Sequence, residues 1–394
     1  MTVHMRATIR WRAAGLALGT ACALGLARFA YGLLVPAMSE RLRWTMAEAG
    51  ALTTANSAGY LLGALLATAL IGRAGLTPVF RTGMLVTVAS LAATATTGAY
   101  PALLLTRAVA GLGGAWVFIS GAALAARLAR IAGTVRPMTV YFGGAGVGVA
   151  ASGGVVPLLL DGHPERWPTA WWLLALAGAG AAVGSWMAAE APPPVPEAAP
   201  GNRPPPAPLW RVGAAYLLFG AGYLGYLTFL SSYLTAHHAG VAVVCLAWIL
   251  IGLSAVVAPL PWHRVVTAGG GTRALRLLLG VLAVAAALPL LGSSAPAVVA
   301  SALLFGSAFM MVPAAVTAIA SHASAADSSR TLARLTVVFA IGQSLGPWLA
   351  GALSDRAGVE AVLAFTALSC GSAALLAGPA SDGHPYGPAR SSGD

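Results

Sequence analysis

Apolar runs of about twenty residues recur along almost the entire chain, and a run of that length crosses the hydrocarbon core of a bilayer as one α-helix. Twelve such runs fit the sequence, near residues 12–36, 46–71, 82–99, 101–128, 136–160 and 168–189, then 209–235, 239–261, 274–292, 296–321, 329–353 and 359–379. A proline-dense interval separates the two sets. Pro192, Pro193, Pro194, Pro196, Pro200, Pro204, Pro205, Pro206 and Pro208 forbid helix there and favour a semi-rigid extended linker. The expected organisation is an all-α integral membrane protein of twelve transmembrane helices in two pseudo-symmetric six-helix bundles. Its parts are an N-terminal bundle over 1–190, a cytoplasmic linker over 191–208, and a C-terminal bundle with a short disordered tail over 209–394.

Composition rules out a water-soluble alternative. Charged residues are 8% of the 394 while hydrophobic ones are 58%, too few charges to cover a surface in water. The net charge of +11 does not signal a nucleic-acid partner, because the arginines are scattered singly among apolar spans. Lysine is absent from the chain, which excludes Schiff-base chemistry. Cys22, Cys245 and Cys370 sit singly in separate spans, without metal spacing or a disulfide framework. No metal or other cofactor is expected.

The arginines also orient the chain. With the N-terminus in the cytoplasm, inner segments carry sixteen arginines, and outer loops carry only Arg41, Arg43, Arg166 and Arg356. This bias predicts a multi-pass protein of the cytoplasmic (inner) membrane with both termini inside. The first apolar run contains Arg28 and is too long for a cleaved signal, so it is expected to be retained as a helix.

The two halves echo each other. Gly144, Gly148, Val149, Ser152 and Gly153 in the fifth span match Gly342, Gly346, Pro347, Ala350 and Gly351 in the eleventh. Small residues at such spacing permit close helix approach. Repeated halves are a device of carriers that rock about a site near the membrane midplane.

Several motifs resemble the major facilitator superfamily over essentially the full length, in particular its YbfB/YjiJ-type branch. They are Leu26, Arg28, Phe29, Tyr31, Pro36 and Met38 in the first span, then Glu48, Gly50, Asn56, Gly59, Tyr60 and Gly63 in the second. Gly346, Pro347, Ala350 and Gly351 add to these late in the chain, and Arg107, Gly111 and Gly113 resemble the superfamily's buried-arginine motif. The resemblance implies the superfamily fold, secondary transport by alternating access, and a structural or coupling role for Arg107, Gly111, Gly113, Gly144, Gly148, Gly346, Pro347 and Gly351. The connection between the second and third spans departs from the pattern. Gly72, Arg73, Gly75, Pro78 and Arg81 come with no acidic residue, so the family's usual charge-relay gate is not expected there.

Charge inside hydrocarbon is costly and calls for a reason. Arg28 and Arg107 lie well within spans. Either meets an anionic group of a substrate, or bonds helix carbonyls and tyrosine hydroxyls to hold the bundle together. Thr53, Asn56, Tyr60 and Gly63 share one face of the second span; Tyr216, Phe219, Tyr223, Tyr226 and Tyr233 form a similar stripe in the seventh. Interhelical packing and a cavity wall for a ring-shaped solute both account for these stripes. Gln343, Tyr141, Trp116, Phe309, Met310 and Met311 belong to the same class. The candidate substrate-binding set is Arg28, Tyr31, Asn56, Tyr60, Trp116, Tyr141, Tyr223, Tyr226 and Gln343.

No Asp, Glu or His falls in the middle third of a span. That argues against an intramembrane enzyme and weakens proton coupling, leaving Glu48 and Asp327 as titratable groups near a cavity mouth. With no Walker-type loop carrying Lys, direct ATP drive is excluded. The expectation is a monomeric secondary transporter in a lipid bilayer, moving a small organic solute that the arginines favour as an anion or carboxylate, with a coupling proton left open. Efflux of hydrophobic or aromatic compounds is the competing transport reading. A non-transporting receptor or scaffold is the reading from another class.

Overall fold

In the computed structural model, residues 3–192, 209–268, 271–292, 294–320 and 325–378 are described. The linker from 193 and the tail from 379 lie outside them, as do Arg203 and Arg390 and the side chain of Asp327. The described residues are helical with short connections, and each of the twelve expected spans falls on helix.

The first span is α1 (Val3–Thr20), a π-helical stretch (Ala21–Phe29) and α2 (Tyr31–Leu42). The first half continues with α3 (Met46–Ala74), α4 (Leu76–Thr94), α5 (Tyr100–Ala132), α6 (Arg136–Leu160) and α7 (Trp167–Ser185). In the second half follow α8 (Leu209–Ala236), α9 (Val241–Val257), α10 (Pro259–Ala268), α11 (Thr272–Leu291), α12 (Ala295–Phe309), α13 (Val312–Ala320), α14 (Ala325–Ala357) and α15 (Glu360–Leu376). Among the described residues, nine helices are long and apolar enough to cross a membrane, and a tenth is α9 with α10, bent by 46°. The two remaining expected spans are α7, nineteen residues long, and α15, seventeen.

Two local features differ from the sequence reading. The connection expected over residues 72–81 shrinks to Gly75, whose φ of 88° lets α3 stop and α4 start at once. Arg73 closes α3, while Pro78 and Arg81 are inside α4, so the third span starts at Leu76 rather than 82. The second feature is the π-helix itself. Its wider turn leads into Ala30, whose N–H bonds Gly25 O at 2.9 Å, and every residue from Ala21 to Phe29 is buried. Nothing in its alanine- and leucine-rich composition announces it.

Glycines set how closely the helices approach. In the first half, a Cβ at Gly144 would stand 2.0 Å from Ala17 O, and one at Gly148 2.4 Å from Ala21 O. In the second, Gly342 and Gly346 press against Leu217 O and Ala221 O of α8. These four glycines therefore close the packing within each half, whereas the remaining matched pair, Gly153 and Gly351, faces the opposite half: a Cβ at Gly153 would stand 2.4 Å from Trp248 Cβ of α9. Like those four, Gly111 and Gly113 of α5 pack within their own half, against Asn56 O of α3 and Gly83 O of α4.

Further contacts join the halves. Gly50 packs on Pro347 O, Gly351 on Met46 O, Gly32 on Leu227 O, and Gly146 on Gly252 O. Thr53 and Thr228 pair their hydroxyls at 3.1 Å. At the tip, the Asp355 carboxylate accepts from Met46 N–H at 2.7 Å and Ala47 N–H at 2.9 Å. Thr45 and Glu48 complete a capping box there, so all four N-terminal donors of α3 are satisfied, two of them from the opposite half. These contacts run from mid-bundle to the end where α3 begins, the Met46 end. At the opposite, Arg73 end, Gly72 has open space around it, and Leu62, Leu65 and Leu66 on the same helix are exposed.

A polar bridge between the halves

Arg28 sits where the π-helical stretch reaches the middle of the bundle, and it is 6% exposed. Its Nη2 donates to Gln343 Oε1 at 2.7 Å, across the boundary between the halves, and to Ser57 Oγ at 3.2 Å. The guanidinium lies 5.0 Å from the Tyr60 ring centroid, a cation–π arrangement. Tyr223 donates its hydroxyl to the same Gln343 oxygen at 3.3 Å. Five side chains from α3, α8, α14 and the π-helix thus converge on one point, Ser57 and Tyr60 lying one turn apart on α3. Arg28 Nε, buried, has no hydrogen-bond partner. Among the described residues the ion pairs are His163–Glu165 and His237–Glu360, so no carboxylate offsets this cation.

Aromatic rings flank the bridge on both sides. Tyr216, Phe219 and Tyr223 of α8 stack with Phe339 of α14 at centroid distances of 4.5–5.8 Å. In the first half the series runs from Tyr60 to Phe118 at 6.3 Å, and from Phe118 to Tyr141 and Phe142 at 6.4 and 5.6 Å. Phe29 meets Phe309 edge-on across the halves at 5.8 Å. Tyr60, Phe118, Phe142 and Phe339 are only partly buried, so the series retains open ring surface.

The other candidates divide by what they touch. Arg107 is fully enclosed: Nη1 donates to Ala27 O at 2.6 Å, and the guanidinium lies 5.1 and 5.2 Å from the Tyr31 and Trp171 rings. Tyr31 donates to Ala49 O at 2.9 Å, so it belongs with Arg107 and not with the bridge. Asn56 donates to Arg107 O at 3.0 Å, tying α3 to α5, and leaves Oδ1 without a partner. Tyr141 donates to Phe118 O at 2.8 Å and locks α6 to α5. Tyr226 stacks on Phe305 at 3.9 Å and shares a hydrogen bond with Ser301 at 2.7 Å inside the second half. Trp116 stands beside Gly83 of α4, its Nε1–H unpartnered.

The stripe on α3 therefore splits. Thr53, Ser57 and Tyr60 look toward the second half and Arg28, whereas Asn56, Gly59 and Gly63 pack on α5. Sequence spacing missed Ser57, Phe118, Phe142 and, as a member of the ring stack, Phe339. The offsets of three residues from Tyr60 to Ser57 and of four from Gln343 to Phe339 were the available signal.

A family model described as the uncharacterised MFS-type transporter YbfB matches residues 20–380. The chain belongs to this YbfB-type family of the major facilitator superfamily. Solved structures of the same superfamily fold agree with the membership. The nucleoside transporter NupG superposes with a TM-score of 0.71 at 14% identity, covering 94% of this chain and 97% of its own. A D-xylose–proton symporter gives 0.70 at 13%, covering 95% and 97%. The human organic anion transporter MFSD10 (TETRAN) gives 0.62 at 18%, covering 96% and 100%. No curated protein sequence matches the chain. At these identities the structural likeness establishes the fold, and membership in this transporter family rests on the sequence match.

Proposed function

We propose that this member of the family carries a small organic anion bearing a ring or apolar body, by alternating access of two six-helix halves, through the cytoplasmic membrane. The observation that carries this reading is Arg28: a buried cation, bridged to the other half by a neutral amide, with no carboxylate beside it among the described residues. A permanent charge in that position gains most from a ligand that brings the missing negative charge. A carboxylate takes the fork of the guanidinium, displacing Gln343, while the Tyr60 ring and the stacked Tyr223 and Phe339 rings hold the apolar body. Chemistry here is binding and release, with no bond made or broken.

With the termini in the cytoplasm, the Met46 end faces outward and the arrangement is inward-open. Asp355 on the first turn of α3 then acts as the outer latch. The protein works as a monomer. No Asp, Glu or His adjoins Arg28 among the described residues, which supports anion movement that needs no protein-bound proton. The ring surfaces also support a second reading, export of uncharged aromatic compounds.

A thermal-shift series separates the two, because a bound ligand stabilises the folded state. Ring carboxylates such as benzoate and cyclohexanecarboxylate are compared with their neutral amides, on the parent protein, on Arg28→Lys and on Arg28→Gln. The anion reading expects acids to outrank amides in the parent, less so in R28K, and not at all in R28Q. Equal ranking in the parent, or an acid preference surviving in R28Q, overturns it in favour of the aromatic-export reading. Proteoliposome counterflow with the best acid then measures transport itself.

A further inference from the structure

Two sets of arginines stand out at the Arg73 end of the first half. Arg12, Arg81 and Arg127 are engaged: they donate to the carbonyls of Glu190, Trp186 and Pro192 and pin the chain leaving α7. The guanidinium groups of Arg6, Arg10 and Arg136 have no hydrogen-bond or ion-pair partner among the described residues, yet all three side chains line one pocket of about 490 Å³. Its remaining walls are Ile9, Ala13, Ala14, Ala132, Thr134, Pro137 and Val140, from α1, the α5–α6 turn and the start of α6. The pocket thus joins three unpaired guanidinium groups to an apolar floor, with no acidic residue in its lining.

Its depth is marked independently. Trp11 on α1, Trp186 after α7 and Trp210 on α8 are 49%, 37% and 66% exposed, and all three stand at this end of the bundle. Exposed tryptophans gather at the level of lipid headgroups. Arg10 adjoins Trp11, so the pocket lies where a phosphate would be, and Val140, 43% exposed, offers an apolar edge beside it.

We propose that this pocket binds the headgroup of an anionic phospholipid, with the phosphate held by Arg6, Arg10 and Arg136 and the acyl chains leaving along Ala14 and Val140. Guanidinium groups suit phosphate because they donate in pairs. Basic pockets between helix ends are the usual form of such a site. A soluble phosphate ester makes no use of the apolar floor; a lipid uses both. The inference is independent of the transport reading, since every lining residue belongs to the first half.

Native mass spectrometry of the full-length protein tests it, with phosphatidylglycerol and phosphatidylcholine of identical acyl chains as probes. The parent is expected to retain phosphatidylglycerol roughly tenfold or more over phosphatidylcholine. Retention by R6Q/R10Q/R136Q is expected to fall to within about twofold, with R10Q alone intermediate. The charge-matched control R73Q/R130Q/R276Q, at the same end but outside the pocket, keeps the parent preference. Absence of preference in the parent, its persistence in the triple variant, or an equal loss in the control overturns the proposal. Displacement of the lipid by glycerol 3-phosphate at equal concentration also overturns it and reassigns the pocket to a soluble phosphate. Melting temperatures in phosphatidylcholine micelles show whether each variant folds, and R10Q carries the test if the triple variant does not.

Discussion

Asp355 offers the most direct test of how the halves separate. Its two oxygens take the first two N–H groups of α3 from across the boundary, at 2.7 and 2.9 Å. Hydrogen bonds to a charged acceptor contribute about 1.5–3 kcal/mol when sheltered. Asp355 is exposed, and on separation water takes over both donors, so a smaller total of about 1–2 kcal/mol is appropriate. The whole of that amount belongs to the state closed at the Met46 end, because the contact does not exist once the halves part there. Asp355→Ala should therefore raise the ratio of open to closed by roughly 5- to 30-fold. A minority state at about 1% becomes roughly 5–25%.

Nitroxide pairs at Ala99 and Ala357, both exposed and on opposite halves, report the separation by pulsed dipolar spectroscopy in lipid nanodiscs. D355A is expected to add a longer-distance component that the parent lacks. D355N, which keeps one acceptor but no charge, should add less of it. A D355A distribution superimposable on the parent, with unchanged melting temperature, refutes the latch.

Two further outcomes follow from the packing. Arg107→Lys keeps the charge but loses the flat guanidinium between Tyr31 and Trp171, and should cost about 1–3 kcal/mol, read as a melting temperature several degrees lower. Gly146→Ala drives a Cβ to 2.4 Å from Gly252 O and should lower stability or widen the distance between the halves, whereas Gly143→Ala, 3.8 Å from Val256, should match the parent in both measurements.

Helices were legible because a bilayer imposes one length on every crossing segment, and the apolar runs meet it. What the sequence hid are relations between segments. Gln343 is 315 positions from Arg28, and Asp355 is 309 from Met46; neither pairing leaves a trace in local periodicity. The π-helix had no signal because Ala21–Phe29 suits an ordinary α-helix equally well, and only tertiary packing selects the wider turn. The glycines of α6 and α14 were found, but their partners depended on which way each helix faced. Tyr60, Tyr223 and Gln343 were recognisable as polar or aromatic groups that lipid rejects. Tyr31, Asn56, Tyr141 and Tyr226 satisfied the same criterion, and lie instead in seams within one half.

Gln343 is an uncharged clasp for a charged side chain. If Arg28 lets go, the amide left behind strands no bare anion in oil, so parting forfeits one or two hydrogen bonds rather than the several kcal/mol of a sundered ion pair. A machine fastened this way is cheap to unfasten. On the proposed mechanism this bridge opens with no acid to titrate at Arg28, and any visitor with a negative tip competes against a weak incumbent.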